Sequence, residues 1–355
     1  MGMTSPRIRT WWLVLSLLVL APICAEYLSA YDDSTGHPAT LLGNLLIFIP
    51  LYGCSALLIR EVARRAHLGW IGILLLAAAF GFIEAGLIDQ SLFSPDYRGL
   101  EGWEATYAAT LIAPFGISAV NLLSFVGGHV MLSICGPIAL VEAWRPARAT
   151  EPWLRLPGLM ITALAYAVGS AFVLFWHLQT EEWHAGLGQL VGTGLVVVAL
   201  IVAAVLLGRR ARTQWDASGP GLARTALAAL VLGGAYSMMP QTWPGFAGSV
   251  ALLVIAGILI ARASRTRRWS PTHVAIVGAT PLFLTAALAF TYDPIIGEVS
   301  AQAKYAHNAV MVAIVLIAVG VALLRRPQQT ATDGPIPDLG DEPIRQSVSD
   351  RSGEL

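Results

Sequence analysis

Charge is scarce in this chain. Asp, Glu, Lys and Arg make up 12% of its 355 residues, while 56% are hydrophobic and the mean hydropathy is +0.66. A soluble domain carries about 25% charged residues, so a water-soluble globular enzyme and a solvated disordered chain are both excluded. Cysteine is nearly absent. The three that occur, Cys24, Cys54 and Cys135, sit inside apolar runs with no C-x-x-C spacing. That excludes a disulfide framework and a zinc knuckle and leaves small buried hydrophobes. No nucleic-acid motif and no convincing internal repeat is present. The first apolar run, RIRTWWLVLSLLVLAPICAEY, has a basic start but a poor cleavage site. Pro22 and Ile23 also stand before Cys24 where lipoprotein processing wants small residues, so the run reads as a first helix and not as a leader.

What the chain does have is long apolar runs. Ten windows approach the length of about 20 residues that crosses a bilayer core as a helix. They lie near 11–30, 40–59, 69–88, 115–141, 157–177, 187–207, 221–239, 245–261, 272–291 and 306–324. The predicted fold class is all-α, a polytopic transmembrane helix bundle embedded in a lipid bilayer. The basic residues supply the topology. With the N-terminus placed in the cytoplasm, 20 of the 22 basic residues fall on cytoplasmic segments, and only Arg98 and Lys304 do not. The expected arrangement is therefore a multi-pass protein of the cell membrane with both termini inside. Residues 1–326 form the membrane domain, and the Pro-, Gly- and Asp-rich stretch 327–355 forms a disordered tail. The arginines read as topology determinants and point to no anionic partner. Residues 89–113 form the longest outer segment and carry Tyr97, Trp103 and Tyr107, which suits a lid or a short interfacial helix.

The chemistry concentrates in FGFIEAGLIDQSLF, residues 80–93, where Glu84 interrupts an apolar helix and Asp89 and Gln90 follow. Other polar groups are expected at a similar depth: Glu26, Asn44, Asn121, His129, His177, His307 and Asn308. Asn121, Phe125 and His129 are spaced four apart and share one helix face, with Ser133 next along it. The inner halves of the spans are expected to hold almost no polarity. A charge buried in a bundle costs several kcal/mol unless it is paired, hydrated or protonated, and a carboxylate with an imidazole is the common solution. Glu84 is therefore expected to face His129, with His307 or Asn308 as a third member and Glu26, Asn44, Asn121, Asp89 and Gln90 as binding residues. The alternatives weighed against this are headgroup-level solvation of Glu84 and Glu26, and interfacial positions for His177 and His307.

IEAGLIDQSLF and FVGGHVMLSICGPIALVEA resemble the first two motifs of the CAAX-protease and bacteriocin-processing superfamily of intramembrane enzymes. Phe125 and His129 match its Phe-x-x-x-His motif, and Glu84 matches one glutamate of its Glu-Glu-x-x-x-Arg motif. The departures are Ile83 and Ala85 beside Glu84, Ile88 or Asp89 where the Arg belongs, and Met311 where an Asn would follow His307, although Asn308 is adjacent. The resemblance implies that Glu84 activates water, that His129 and His307 with Asn308 form an oxyanion or metal-assisted site, and that a divalent metal could sit at Glu84 and His129. LYGCSALLIREVARR followed by GWIGILLL also resembles a group of uncharacterised polytopic bacterial membrane proteins.

Three functions stay open on the sequence. One is an intramembrane hydrolase acting on a membrane-embedded peptide or lipidic substrate. Another is a transporter or binder of a small or lipidic ligand that uses the same Glu/His cluster as a proton or cation site. The last is a structural or partner-binding membrane protein in which the cluster only fixes packing.

Overall fold

The computed structural model describes residues 10–210 and 214–325. The predicted tail at 327–355 lies outside the described residues. All ten expected spans are helical: α1 Trp11–Tyr27, α2 Pro38–Arg65, α3 Gly69–Ile88, α5 Ala119–Ala143, α6 Leu156–Thr180, α7 Leu187–Gly208, α8 Leu222–Ser237, α9 Trp243–Ala263, α10 Pro271–Leu288 and α11 Ala301–Leu324. Eight of them are long and apolar enough to cross a membrane, and α1 and α8 are shorter. In hydrocarbon every backbone N–H and C=O must be satisfied within its own segment, which is why runs of Leu, Val, Ala and Gly become helices here.

The bundle is layered. α1, α2, α3, α5, α10 and α11 pack together around a core that includes Leu13, Leu17, Tyr52, Ile73, Ile138, Leu282 and Val315. α6 lies against α2, α7 along α3, and α8 against α10, and α9 packs on α8 at the edge. The outward faces of α6 to α9 expose Leu, Val, Ile and Phe.

Three boundaries differ from the sequence expectation, each with consequences. α2 runs on to Arg65, so Arg60, Arg64 and Arg65 are helical and not loop charges. α5 begins at Ala119, behind a hairpin of β1 Leu111–Ile112 and β2 Ile117–Ser118, and Ser118 caps the helix by accepting the Asn121 N–H at 3.4 Å. α11 begins at Ala301, which moves His307 and Asn308 past its first turn. The 89–113 segment contains a short helix, α4 Trp103–Ala109.

Four helices contain wide π turns: Ile23–Tyr27 ends α1 and Glu84–Ile88 ends α3, while Ile49–Gly53 and His129–Cys135 interrupt α2 and α5. Three of the four adjoin a proline: Pro22 precedes the first, Pro50 lies within the second, and Pro137 closely follows the last. Proline removes an N–H and clashes with the carbonyl four residues back, and a wider turn relieves that clash. Such insertions concentrate at functional sites.

Candidate functional site

All four π turns deliver polar side chains to one place: Glu26 from α1, Tyr52 from α2, Glu84 from α3, and His129 and Ser133 from α5. They line a cavity of about 290 Å³ together with Tyr31, Asp89, Tyr97, Arg98, Trp103 and Phe125. Each residue of an α-helix turns the chain by about 100°. One extra residue therefore swings all later side chains to a new face, and the apolar periodicity of the sequence does not record it.

Glu84 and His129 meet as expected. The His129 Nε2 lies 2.7 Å from Glu84 Oε2, and the Glu84 side chain is 4% exposed. Gly81, one turn before Glu84, makes the approach possible. A Cβ there would stand 3.1 Å from the Val126 Cα and 3.3 Å from the His129 Cβ, so a larger residue would need α5 to give by a few tenths of an ångström. Tyr52 donates to Glu84 Oε1 at 3.4 Å, and its ring stacks on the imidazole at 5.9 Å between centroids. Phe80 meets the imidazole edge-on at 5.6 Å. On the far side of the ring, Nδ1 lies 3.2 Å from Ser133 Oγ. If the serine hydroxyl donates to Nδ1, Nε2 carries the proton and points it at Glu84.

Two further carboxylates share the cavity. Glu26 Oε2 accepts the Tyr31 hydroxyl at 2.8 Å. Asp89 Oδ1 accepts the Ser91 N–H at 3.0 Å and the Ser91 hydroxyl at 2.8 Å, and Oδ2 accepts the Tyr97 hydroxyl at 3.3 Å. Burial, and secondarily the charge of Glu84, push the Asp89 carboxyl up to about 7, against the opposing pull of Ser91. The Tyr31 phenol is raised well above its ordinary range, first by the charge of Glu26 and then by burial. Arg98 lies exposed at the rim, in a left-handed conformation at φ 54° on the 89–113 segment, and its guanidinium sits 5.1 Å from the Tyr97 ring centre.

Several expected members are elsewhere. His307 Nε2 lies 2.9 Å from the Tyr27 carbonyl, and its Nδ1 accepts the Gly36 N–H at 3.3 Å, so it fastens the 28–37 loop to α11. Asn308 donates to the Ala289 carbonyl at 2.9 Å. Neither lines the cavity, because α11 packs on α10 and presents these side chains to the 28–37 loop and to the ends of α1 and α10. Gln90 Oε1 accepts the Ala185 N–H at 2.6 Å and ties the α6–α7 connection down. Asn121 is buried behind the lining, where its backbone engages Ser118. Asn44 is half-buried on the first part of α2, where no residue is buried. His177, in the last turn of α6, is 5% exposed and does not line the cavity. Sequence reasoning missed Tyr52, Tyr31 and Arg98. The available signal was a tyrosine in an apolar run, whose hydroxyl needs a partner when buried.

The end of the bundle expected to face inward is not free of polarity. Arg60 and Glu61 are fully buried, and Glu142 is 3% exposed. Arg60 pairs with Glu61 at 2.6 Å and with Glu142 at 3.1 Å, donates to the Arg148 and Ala149 carbonyls at 3.1 Å each, and stacks on Trp153 at 3.5 Å. Arg64 grips Glu142 with both Nε and Nη2, and Arg65 pairs with Glu61. Glu61 also accepts the backbone N–H groups of Trp153 and Leu154. His129 and Glu142 are 13 residues apart on one helix, so about 20 Å of bundle at the α-helical rise separates the two polar centres.

No group of three or more His, Cys, Asp or Glu side chains that could hold a metal ion occurs among the described residues. Glu84 and His129 would supply two ligands, with nothing further placed to complete a set. A family model described as an uncharacterized membrane protein family matches residues 15–336. The chain belongs to that family. No curated protein and no solved structure matches it. Every residue of the cavity and both polar centres lie within the matched region.

Proposed function

We propose that this membrane protein binds a small ligand in the cavity in exchange for a proton. The observation that carries the reading is the Glu84–His129 pair at 2.7 Å, opening onto a cavity that Glu26 and Asp89 also line. A carboxylate bonded to an imidazole gains or loses a proton without stranding a bare charge in oil. Two more carboxylates with tyrosine donors let the cavity change its charge as the ligand arrives. The arginine distribution supports an orientation with this end of the bundle outside the cell membrane and both termini in the cytoplasm. Infrared titration of the purified protein tests the reading. A carboxyl band that titrates near neutral pH and disappears in Asp89→Asn is expected. Ionisation of every cavity carboxyl below about pH 5, as ordinary carboxyls do, would contradict it.

A second reading rests on a separate observation. Ser133 Oγ, His129 and Glu84 form a continuous chain of contacts at 3.2 and 2.7 Å, the set of groups an acyl-transfer hydrolase uses. It agrees with the resemblance to the intramembrane proteases in employing Glu84 and His129, and differs in offering a serine nucleophile. A fluorophosphonate probe separates the two readings. Labelling that is lost in Ser133→Ala supports hydrolysis, whereas an unlabelled protein supports ligand exchange.

A further inference from the structure

The ligand itself can be characterised from the cavity walls. Glu26, Glu84 and Asp89 supply three carboxylates against Arg98 and the imidazole of His129. Above them lies an aromatic wall of Tyr97, Trp103 and Phe125, whose ring centres are 5.2, 5.9 and 6.1 Å apart. The rings touch one another and do not leave a slot between them, so a ligand meets them on one side only. Trp103 is held in place by its own Nε1–H, which donates to the Ser94 carbonyl at 2.9 Å. Carboxylates pair with positive charge, and the faces of Trp and Tyr attract ammonium groups within about 6 Å. The volume of about 290 Å³ sits at the small end of ligand pockets. Arg98 completes the pattern. Its side chain is exposed at the rim on the same segment as Tyr97 and Trp103, and it makes no ion pair among the described residues.

We infer that the cavity takes a small organic ammonium ion, with its charge among Glu26, Glu84 and Asp89 and its apolar body against the Trp103 wall, and that Arg98 acts as a rim cation that competes with it. This rests on the proton-exchange reading of the same cavity and names the ligand class. A neutral or anionic ligand would not offset the negative charge that the carboxylates take on when they release a proton. An anion would be drawn to Arg98 and repelled from the interior.

Calorimetric titration of the detergent-solubilised full chain with benzylammonium, benzyl alcohol and benzoate tests the class, since the three share one skeleton and differ in charge. Benzylammonium is expected to bind at least tenfold more tightly than the other two. Trp103→Leu should weaken it several-fold to tenfold, the scale of one aromatic ring packed on another. Arg98→Gln should tighten it several-fold at low salt, and the gain should shrink as salt screens the charge. Arg98 is an exposed rim residue, so this variant keeps the assay informative even if Trp103→Leu disturbs folding. Equal binding of the three probes overturns the inference. So does preferential binding of benzoate that is lost in Arg98→Gln, or absence of benzylammonium binding at millimolar concentration. Repeating the titrations in two buffers of different ionisation enthalpy separates the claims. Benzylammonium binding without proton release keeps the ligand class and defeats the exchange reading. Benzyl alcohol or benzoate binding with proton release does the reverse.

Discussion

Replacing Glu142 by Gln removes the one carboxylate that joins Arg60 and Arg64 across α2 and α5. Arg60 keeps Glu61, two carbonyl acceptors and the Trp153 ring, so it remains largely compensated. Arg64 is 6% exposed and loses both of its charged contacts, from Nε and from Nη2. Breaking a buried ion pair by removing one partner costs about 3–5 kcal/mol. Because Arg60 is buffered, the lower half of that range is expected, about 3 kcal/mol. The apparent melting temperature in detergent, compared at one scan rate because such unfolding is seldom reversible, should fall by roughly 5 °C or more, given about 2 °C per kcal/mol for a chain of this size. Arg148→Gln is the control. Its partner Glu151 is half exposed, and a surface pair contributes about 0–1 kcal/mol. In a double-mutant cycle, Arg64→Met combined with Glu142→Gln should cost less than the sum of the two single changes. Equal melting temperatures for Glu142→Gln and Arg148→Gln would refute the view that this network locks α2 to α5.

Two further outcomes follow from particular contacts. A Cβ at Gly53 would lie 2.4 Å from the Leu18 carbonyl oxygen, so Gly53→Ala should push α1 away and lower stability by about 1–3 kcal/mol, outweighing the helix propensity of alanine, about 1 kcal/mol; a raised melting temperature would contradict the close α1–α2 crossing. The Asp89 carboxyl is raised from 3.8 to about 7 mainly by burial. Its folded form therefore holds a proton that the unfolded chain releases, so its contribution to stability is complete below pH 4 and is lost as pH rises to about 7. Asp89→Asn should remove that decline, and parallel pH profiles for the two proteins between pH 4 and 7 would count against a buried Asp89.

The Glu84–His129 pair was legible in the sequence because hydrocarbon tolerates neither group alone, and two helices in sequence order gave them the chance to meet. Helix existence was legible for the same reason, since apolar length is a strong signal. Facing was not. Asn44, Gln90, Asn121, His307 and Asn308 share a depth with Glu84 but point elsewhere, and depth is all that linear position supplies. The π turns at Glu26, Tyr52, Glu84 and His129 rotate side chains by an increment that no apolar periodicity records. The Arg60–Glu142 network was missed for a different reason. Hydropathy ends a helix where charges begin, and here α2 and α5 carry their charges onward into mutual contact.

The contact between acid and imidazole is most directly measured by nuclear magnetic resonance of the protein labelled with nitrogen-15 at its histidines. The His129 Nε2 should carry a strongly hydrogen-bonded proton whose resonance moves in Glu84→Gln, while the signals of His177 and His307 stay in place. A His129 spectrum unchanged by Glu84→Gln would mean that the two groups do not touch, and the proposed centre would be lost.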